Sequence, residues 1–338
     1  KGGDYITLDN INISDPSGTV EWGFALLKSS AIDGAQFNII KNCNITMNKT
    51  NTASVGIYAN NVTPENPTGQ LAVTALSGAN SDNKFFGNTI QNAYHGISVN
   101  GYADAVSPYL YYDQNNEIGV EGANAISNFG GGSPANNGIY AIYQNNLKVA
   151  NNVVNGPSAG SGVCSGIQIG TCNNANLDVF NNTVSIDYSG TNQFYGIYDN
   201  HGNVFSGNTV VKVYGNTVSN CTFPTAAKVN CQYIFISGGG ANCQCYNNIV
   251  TDNIYGSATV VASGQLVVIY HNGNQAIDGS LSYHHNQVTN ITRIQSVVGA
   301  GATYYQYVNG GKAYVEMYNN VVDNCTVASN GDASVFAR

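Results

Sequence analysis

An acid and a histidine stand two residues apart in Gly196-Ile197-Tyr198-Asp199-Asn200-His201-Gly202, and a carboxylate beside an imidazole is a common basis for general acid–base chemistry. Glycoside hydrolysis asks for more, because two carboxylates must flank the scissile bond. The positions that match Asp199 in the neighbouring sequence repeats are Ile169 and Ile236. Asp199 and His201 are therefore the candidates if the protein is a hydrolase, and turn capping is the competing role for the aspartate. His284 and His285 are adjacent, and adjacent side chains of an extended segment point to opposite faces, so the pair is not expected to chelate one ion readily. The eight cysteines follow neither a zinc-site nor a disulfide spacing. Cys243 and Cys245 share one face of a strand, and Cys221 and Cys325 recur at one column of the repeat, with Ala93 and Ile291, that takes small apolar side chains. Packed free thiols are expected. Neither a metal nor a cofactor is expected.

Aromatic residues offer a second kind of chemistry, stacking on sugar rings with a hydroxyl left for hydrogen bonding. The segment from Tyr102 to Asp113 carries Tyr102, Asp104, Tyr109, Tyr111, Tyr112 and Asp113. Four tyrosines and two aspartates there could bind a glycan, or fold down onto the side of the molecule. Three more tyrosines, Tyr58, Tyr140 and Tyr198, each follow a Gly-Ile pair, with Ser98 and Gln168 in the same place of the intervening repeats. If the isoleucines point inward, these residues line one outer face. Such a column suits a polysaccharide, although Tyr also simply favours half-exposed strands.

What must position these residues is a repeat. A phrase of the form apolar-x-Asn/Gly-Asn-x-apolar, or one residue from it, starts at Leu8, Ile40, Phe85, in degenerate form near Glu121, and at Val149, Val179, Val213, Cys245, Tyr283 and Met317. Each is followed by a short apolar strand, often beginning Gly-Ile. A period of roughly 28 to 45 residues with uneven spacers is the mark of stacked coils with loop insertions. In Val179-Phe180-Asn181-Asn182-Thr183-Val184 both valines reach the interior only if the Asn pair turns the chain, and Asn tolerates the left-handed backbone this needs. Stacking then superposes Asn88, Asn152, Asn182, Asn216, Asn248, Asn286 and Asn320 as a ladder of side-chain amides, with Cys43 in place of the anchoring Asn in the second phrase. The longest insertions, 60–83, 100–116 and 127–137, fall on adjacent coils of the N-terminal half, where they could wall a groove.

This turn ladder, with apolar strands on both sides and long loops elsewhere, resembles the right-handed parallel β-helix of the pectate-lyase-like superfamily, and the resemblance covers almost the whole chain. It implies an all-β fold of about ten coils, and it leaves activity open, since that superfamily hosts lyases, hydrolases, phage tailspikes and adhesins. Its lyases need a calcium-binding carboxylate cluster and a Lys or Arg base. Here Arg293 is the only internal arginine, Lys148 and Lys212 sit in repeat columns, and no cluster of three aspartates occurs at coil spacing. The polygalacturonase-type motifs Asn-Thr-Asp, Asp-Asp, Gly-His-Gly and Arg-Ile-Lys are absent, with only a faint echo of the third in Asn200-His201-Gly202.

Composition narrows the classes further. Only 9% of the 338 residues are charged, against about 25% in an average soluble protein. The net charge of −8 is scattered, with no basic stripe for a nucleic acid. Apolar runs are too short to insert in a membrane. Leu8 and Phe336 already belong to repeat elements and no capping helix flanks them. Residues 1–338 are thus expected to form a single β-helix domain without caps, cut from a longer chain. Its partners would be further segments of that chain or other subunits packed end to end, and polysaccharide. The function expected is a non-catalytic, extracellular or cell-surface β-solenoid of an adhesin, filament or secreted assembly that binds glycans. A polysaccharide hydrolase is the alternative, with a lyase behind it.

Overall fold

The computed structural model describes residues 1–203, 209–225, 229–239, 242–259, 264–273, 279–294, 301–309, 314–328 and 334–337. Over these the protein is an all-β parallel solenoid, and Leu76–Gly78 is the one short helical turn among them. No helix among the described residues is long and apolar enough to cross a membrane. Three parallel sheets run the length of the molecule. The first runs from Thr7–Asp9 to Tyr314–Tyr318, the second from Asn12–Ser14 to Val321–Asp323, and the third from Trp22–Leu27 to Ser334–Ala337. Ten strands stack along each path, giving about nine turns.

One coil shows how the sequence builds the rest. Leu177–Phe180 lies in the first sheet, Thr183–Tyr188 in the second and Phe194–Asn203 in the third. Between the first two strands, Asn181 adopts φ 55° and turns the chain, so Val179 and Val184 are both buried. The Asn pair divides its labour. Its first member, or a glycine such as Gly87 or Gly215, takes the left-handed turn, and its second is buried and makes the ladder.

In that ladder the Nδ2 of each Asn donates to the Oδ1 of the next coil at 2.9–3.0 Å, from Asn88 through Asn124, Asn152, Asn182, Asn216, Asn248 and Asn286 to Asn320. The same Oδ1 accepts the backbone N–H of the preceding coil, as Asn216 Oδ1 does from Asn182. These bonds satisfy groups that would otherwise be buried without partners. Asn124 is a rung that the sequence pattern missed. The fourth phrase begins at Ile118, in register with Phe85 and Val149, rather than near Glu121, and extra residues lengthen its turn before Asn124. Cys43 holds its place in the ladder by donating its backbone N–H to Asn88 Oδ1 at 3.0 Å.

The Gly-Ile strands have a steric origin. A Cβ on Gly166 would lie 2.6 Å from Gly196 O and 2.7 Å from Val184 Cγ1, and one on Gly138 would lie 2.4 Å from Val154 Cγ1. The glycine lets a third-sheet strand approach both the next coil and the second sheet. Charges obey the same stacking. Lys84, Glu117, Lys148, Asp178 and Lys212 are successive register partners on the outer face of the first sheet. Their signs alternate, as in-register parallel pairing requires, and Lys148 Nζ sits 2.9 Å from Glu117 Oε1.

Candidate functional site: an aromatic-lined groove on the third sheet

Third-sheet register sets Tyr58, Ser98, Tyr140, Gln168 and Tyr198 side by side, one per coil, and continues the column through Phe235, Tyr270 and Tyr307. The two halves of this column differ. Tyr198, Phe235, Tyr270 and Tyr307 stack with centroids 4.9, 4.7 and 5.1 Å apart and planes within 8° of parallel. Rings stacked in this way cover one another's faces. In the N-terminal half Ser98 and Gln168 interrupt the stack. Tyr58 stacks on Trp22 at 5.0 Å, while Tyr140 meets no other ring among the described residues. All three tyrosines named by the sequence are half-buried on this face.

A groove of about 640 Å³ opens over that interrupted half, a volume in the range of ligand sites. Its floor is Tyr58, Ser98, Tyr140 and Gln168, with Trp22 and Val55 beside them. Pro67 and Thr68 from the 60–83 insertion and Ala135 from the 127–137 insertion stand at its margins. Loops on both flanks of one sheet thus supply the walls. Among the lining residues Glu21 is the one carboxylate, and none is Lys or Arg. His95 also lines the groove, and burial pulls its pKa down to about 4, so it is neutral at physiological pH. His95 Nδ1 and Asn137 Oδ1 are buried without a hydrogen-bond partner.

The hydrolase candidates lie elsewhere. Asp199 sits in the inward column between Ile169 and Ile236, and it and His201 are both fully buried. His201 Nδ1 and Asp199 Oδ2 are 2.9 Å apart, an ion pair inside the solenoid. Burial by itself would depress the imidazole, but the Asp199 carboxylate, with a smaller contribution from Cys243, lifts its pKa to about 10. A substrate cannot reach this pair, which corrects the catalytic expectation, and the strand position of Asp199 corrects the turn-capping one. Sequence spacing placed Asp199 correctly against two isoleucines, but the meaning of that column, the interior, needed the fold.

The 100–116 insertion is a structural strap. Tyr109, Tyr112, Asp104 and Asp113 are buried, and Tyr112 packs against Tyr109 at 5.5 Å and Tyr143 at 5.7 Å. Asp104 accepts the backbone N–H groups of Val106 and Tyr111. Asp113 lies 3.6 Å from the buried Lys28 Nζ, and its Oδ1 accepts the Asn80 N–H. These four side chains are removed from a ligand surface, so of the two readings of the segment they follow the one that folds it down onto the side of the molecule, and the glycan-contact reading is corrected for them. Tyr102 and Tyr111 are half-buried and neither lines the groove.

His284 belongs to a second aromatic stack on the first sheet, Phe180–Tyr214–Tyr246–His284–Tyr318, with neighbouring rings 4.8–5.0 Å apart. Seven cysteines are buried free thiols and Cys325 is half-buried. Asn253 shares the column of Cys221 and accepts its N–H at 2.7 Å, so that column takes polar residues as well as small apolar ones. Arg293 is buried, with its guanidinium donating to Gly264 O, Ala302 O and Thr303 Oγ1. No group of three metal-ligating side chains occurs among the described residues.

Trp22, His95 and Asn137 are groove residues that sequence reasoning missed. The signal for Trp22 was its being the chain's single tryptophan, one residue before a third-sheet glycine. His95 and Asn137 each immediately precede the Gly of a Gly-Ile pair, and the same position in the later coils holds Ser165 and Tyr195. Comparison with protein-family models, with curated proteins and with solved structures found no match for this chain.

Proposed function

We propose that this solenoid is a non-catalytic carbohydrate-binding protein that works outside the cell or at its surface, as part of an adhesin, filament or secreted assembly. A place in the pectate-lyase-like superfamily is part of the same reading and rests on the coil pattern. The observation that carries the function is the groove: half-buried aromatic rings on a rigid sheet, uncharged hydrogen-bonding groups between them, and loop walls. Aromatic platforms with a few polar groups are how proteins hold sugars, whose rings present both apolar faces and hydroxyls. A rigid parallel sheet holds such a surface at little entropic cost on binding.

The groove has one carboxylate, Glu21, where hydrolysis needs two. Retention on a panel of immobilised polysaccharides, with released reducing ends read in the same samples, tests the proposal. The expected result is retention without release, weakened about tenfold or more by Tyr140→Ala. Release of reducing ends that survives repurification would overturn the non-catalytic reading, and no retention on any polysaccharide would overturn glycan binding.

A further inference from the structure

Resting on that carbohydrate-binding reading, we infer that the gap in the aromatic ladder at Ser98 is the seat of a single uncharged pyranose ring, sandwiched between Tyr58 and Tyr140. Where the column is continuous, adjacent rings lie 4.7–5.1 Å apart along the coils. Ser98 is the register partner of both Tyr58 and Tyr140, so the column lacks one ring between them, and Ser98 lies buried at the bottom of that break while still lining the groove. Two coil steps span roughly 10 Å, and a six-membered ring fits in that span with carbon contacts of about 3.5–4 Å on each side. A saturated sugar ring with apolar faces replaces the absent side chain.

The polar surroundings suit hydroxyls. Ser98 Oγ donates to Asn100 Oδ1 at 3.3 Å, and both residues line the groove. Tyr58 OH accepts from Asn60 Nδ2. The electrostatics select against acidic sugars. A uronate would meet the exposed Glu21 carboxylate, a neutral His95 and no lysine or arginine among the lining residues. Like charges facing across a binding site penalise the wrong ligand more than they weaken the right one. Ser98 is then a specificity-determining residue, because any aromatic side chain there would close the seat.

The fold itself supplies the control. Tyr198, Phe235, Tyr270 and Tyr307 show that an unbroken aromatic column is compatible with this sheet. Because Ser98 is itself buried, folding of Ser98→Tyr is checked by circular dichroism and thermal melting, and Tyr140→Ala, which removes one face of the seat, is the second variant and should weaken binding to the same extent. Binding is measured by calorimetry on the full chain with neutral hexose oligosaccharides, methyl glycosides of neutral sugars, and oligogalacturonate. The expected result is saturable binding of at least one neutral sugar, at least tenfold weaker in Ser98→Tyr and weak or absent with oligogalacturonate. Neutral-sugar binding that Ser98→Tyr leaves unchanged would overturn the seat while keeping the carbohydrate reading. Preferential binding of oligogalacturonate would overturn the uncharged class alone. Failure of every glycan to bind wild-type protein would overturn the carbohydrate reading itself.

Discussion

Replacing Asn182 with alanine removes one rung from the middle of the ladder, and the hydrogen bonds around it set the cost. The side chain donates to Val149 O at 2.8 Å and Asn216 Oδ1 at 3.0 Å, and accepts from Asn152 N at 3.0 Å and Asn152 Nδ2 at 2.9 Å. Not all of these partners are stranded by its loss. Asn152 Nδ2 keeps Ile118 O and Ala150 O, and Asn216 Oδ1 keeps the Asn182 N–H. The backbone N–H of Asn152, a fully buried residue, is left with no acceptor. An orphaned buried donor costs about 1–3 kcal/mol and each of the three further lost bonds about 0.5–1.5 kcal/mol, so the variant should lose about 2.5–7.5 kcal/mol. Asn181→Gly is the control, since glycine accepts the φ of 55° and Asn181 is exposed. It should stay within about 1 kcal/mol of wild type. Urea denaturation measures both, and hydrogen exchange at the Asn152 amide localises the defect. Because each coil contacts only its neighbours, the transition in Asn182→Ala should also broaden. A loss below about 1 kcal/mol with the Asn152 amide still protected would refute the claim that side-chain amides hold the coils together.

Other expectations follow from the interior. His201 has a folded pKa raised to about 10 by its pairing with Asp199. Its contribution to stability is therefore complete below the unfolded value of about 6.5 and is lost as pH rises through about 10. Melting temperature between pH 6 and 10.5 should fall more steeply in wild type than in an Asp199→Ile, His201→Leu double variant, and equal slopes would show that the pair carries no such linkage. Asp199→Asn alone, which breaks a buried ion pair by neutralising one side, should cost about 3–5 kcal/mol in denaturant melts. Gly166→Ala pushes a methyl to within 2.6 Å of Gly196 O and should destabilise by about 1–3 kcal/mol; a neutral effect in the same melts would mean that the third sheet is not held so closely.

Much of the architecture was legible because stacking repeats its demands. Most coils carry an inward apolar residue on each side of a turn, a left-handed residue in the turn and an amide beside it, so the pattern recurs along the chain. It failed at Asn124, where an altered turn length broke the phrase but not the ladder. The Tyr58–Tyr140–Tyr198 column was legible for the same reason, and its extension through Phe235, Tyr270 and Tyr307 was hidden because the later strands lack the Gly-Ile marker. The groove's second row, with His95 and Asn137, was invisible to a strict alternation of inward and outward residues. Tyr195 and Tyr198 stack at 4.5 Å although three residues apart, so the strand does not alternate strictly across its glycine.

The sequence by itself determined the coil, its Asn ladder and the outward column, because these rest on local backbone preference and a period. Tertiary structure alone decided which polar residues meet solvent. Asp199 and His201 are candidates only if the protein is a hydrolase, and the register of the third sheet puts them in the core, where His201 Nδ1 and Asp199 Oδ2 pair away from water. The sequence leaves Asp113 open between a sugar contact and a place under its folded-down segment, and Lys28, from a coil far back in the chain, decides it by meeting Asp113 in the interior. Burial is a property of what lies across the coil and of where an insertion folds, and residues distant in sequence supply both.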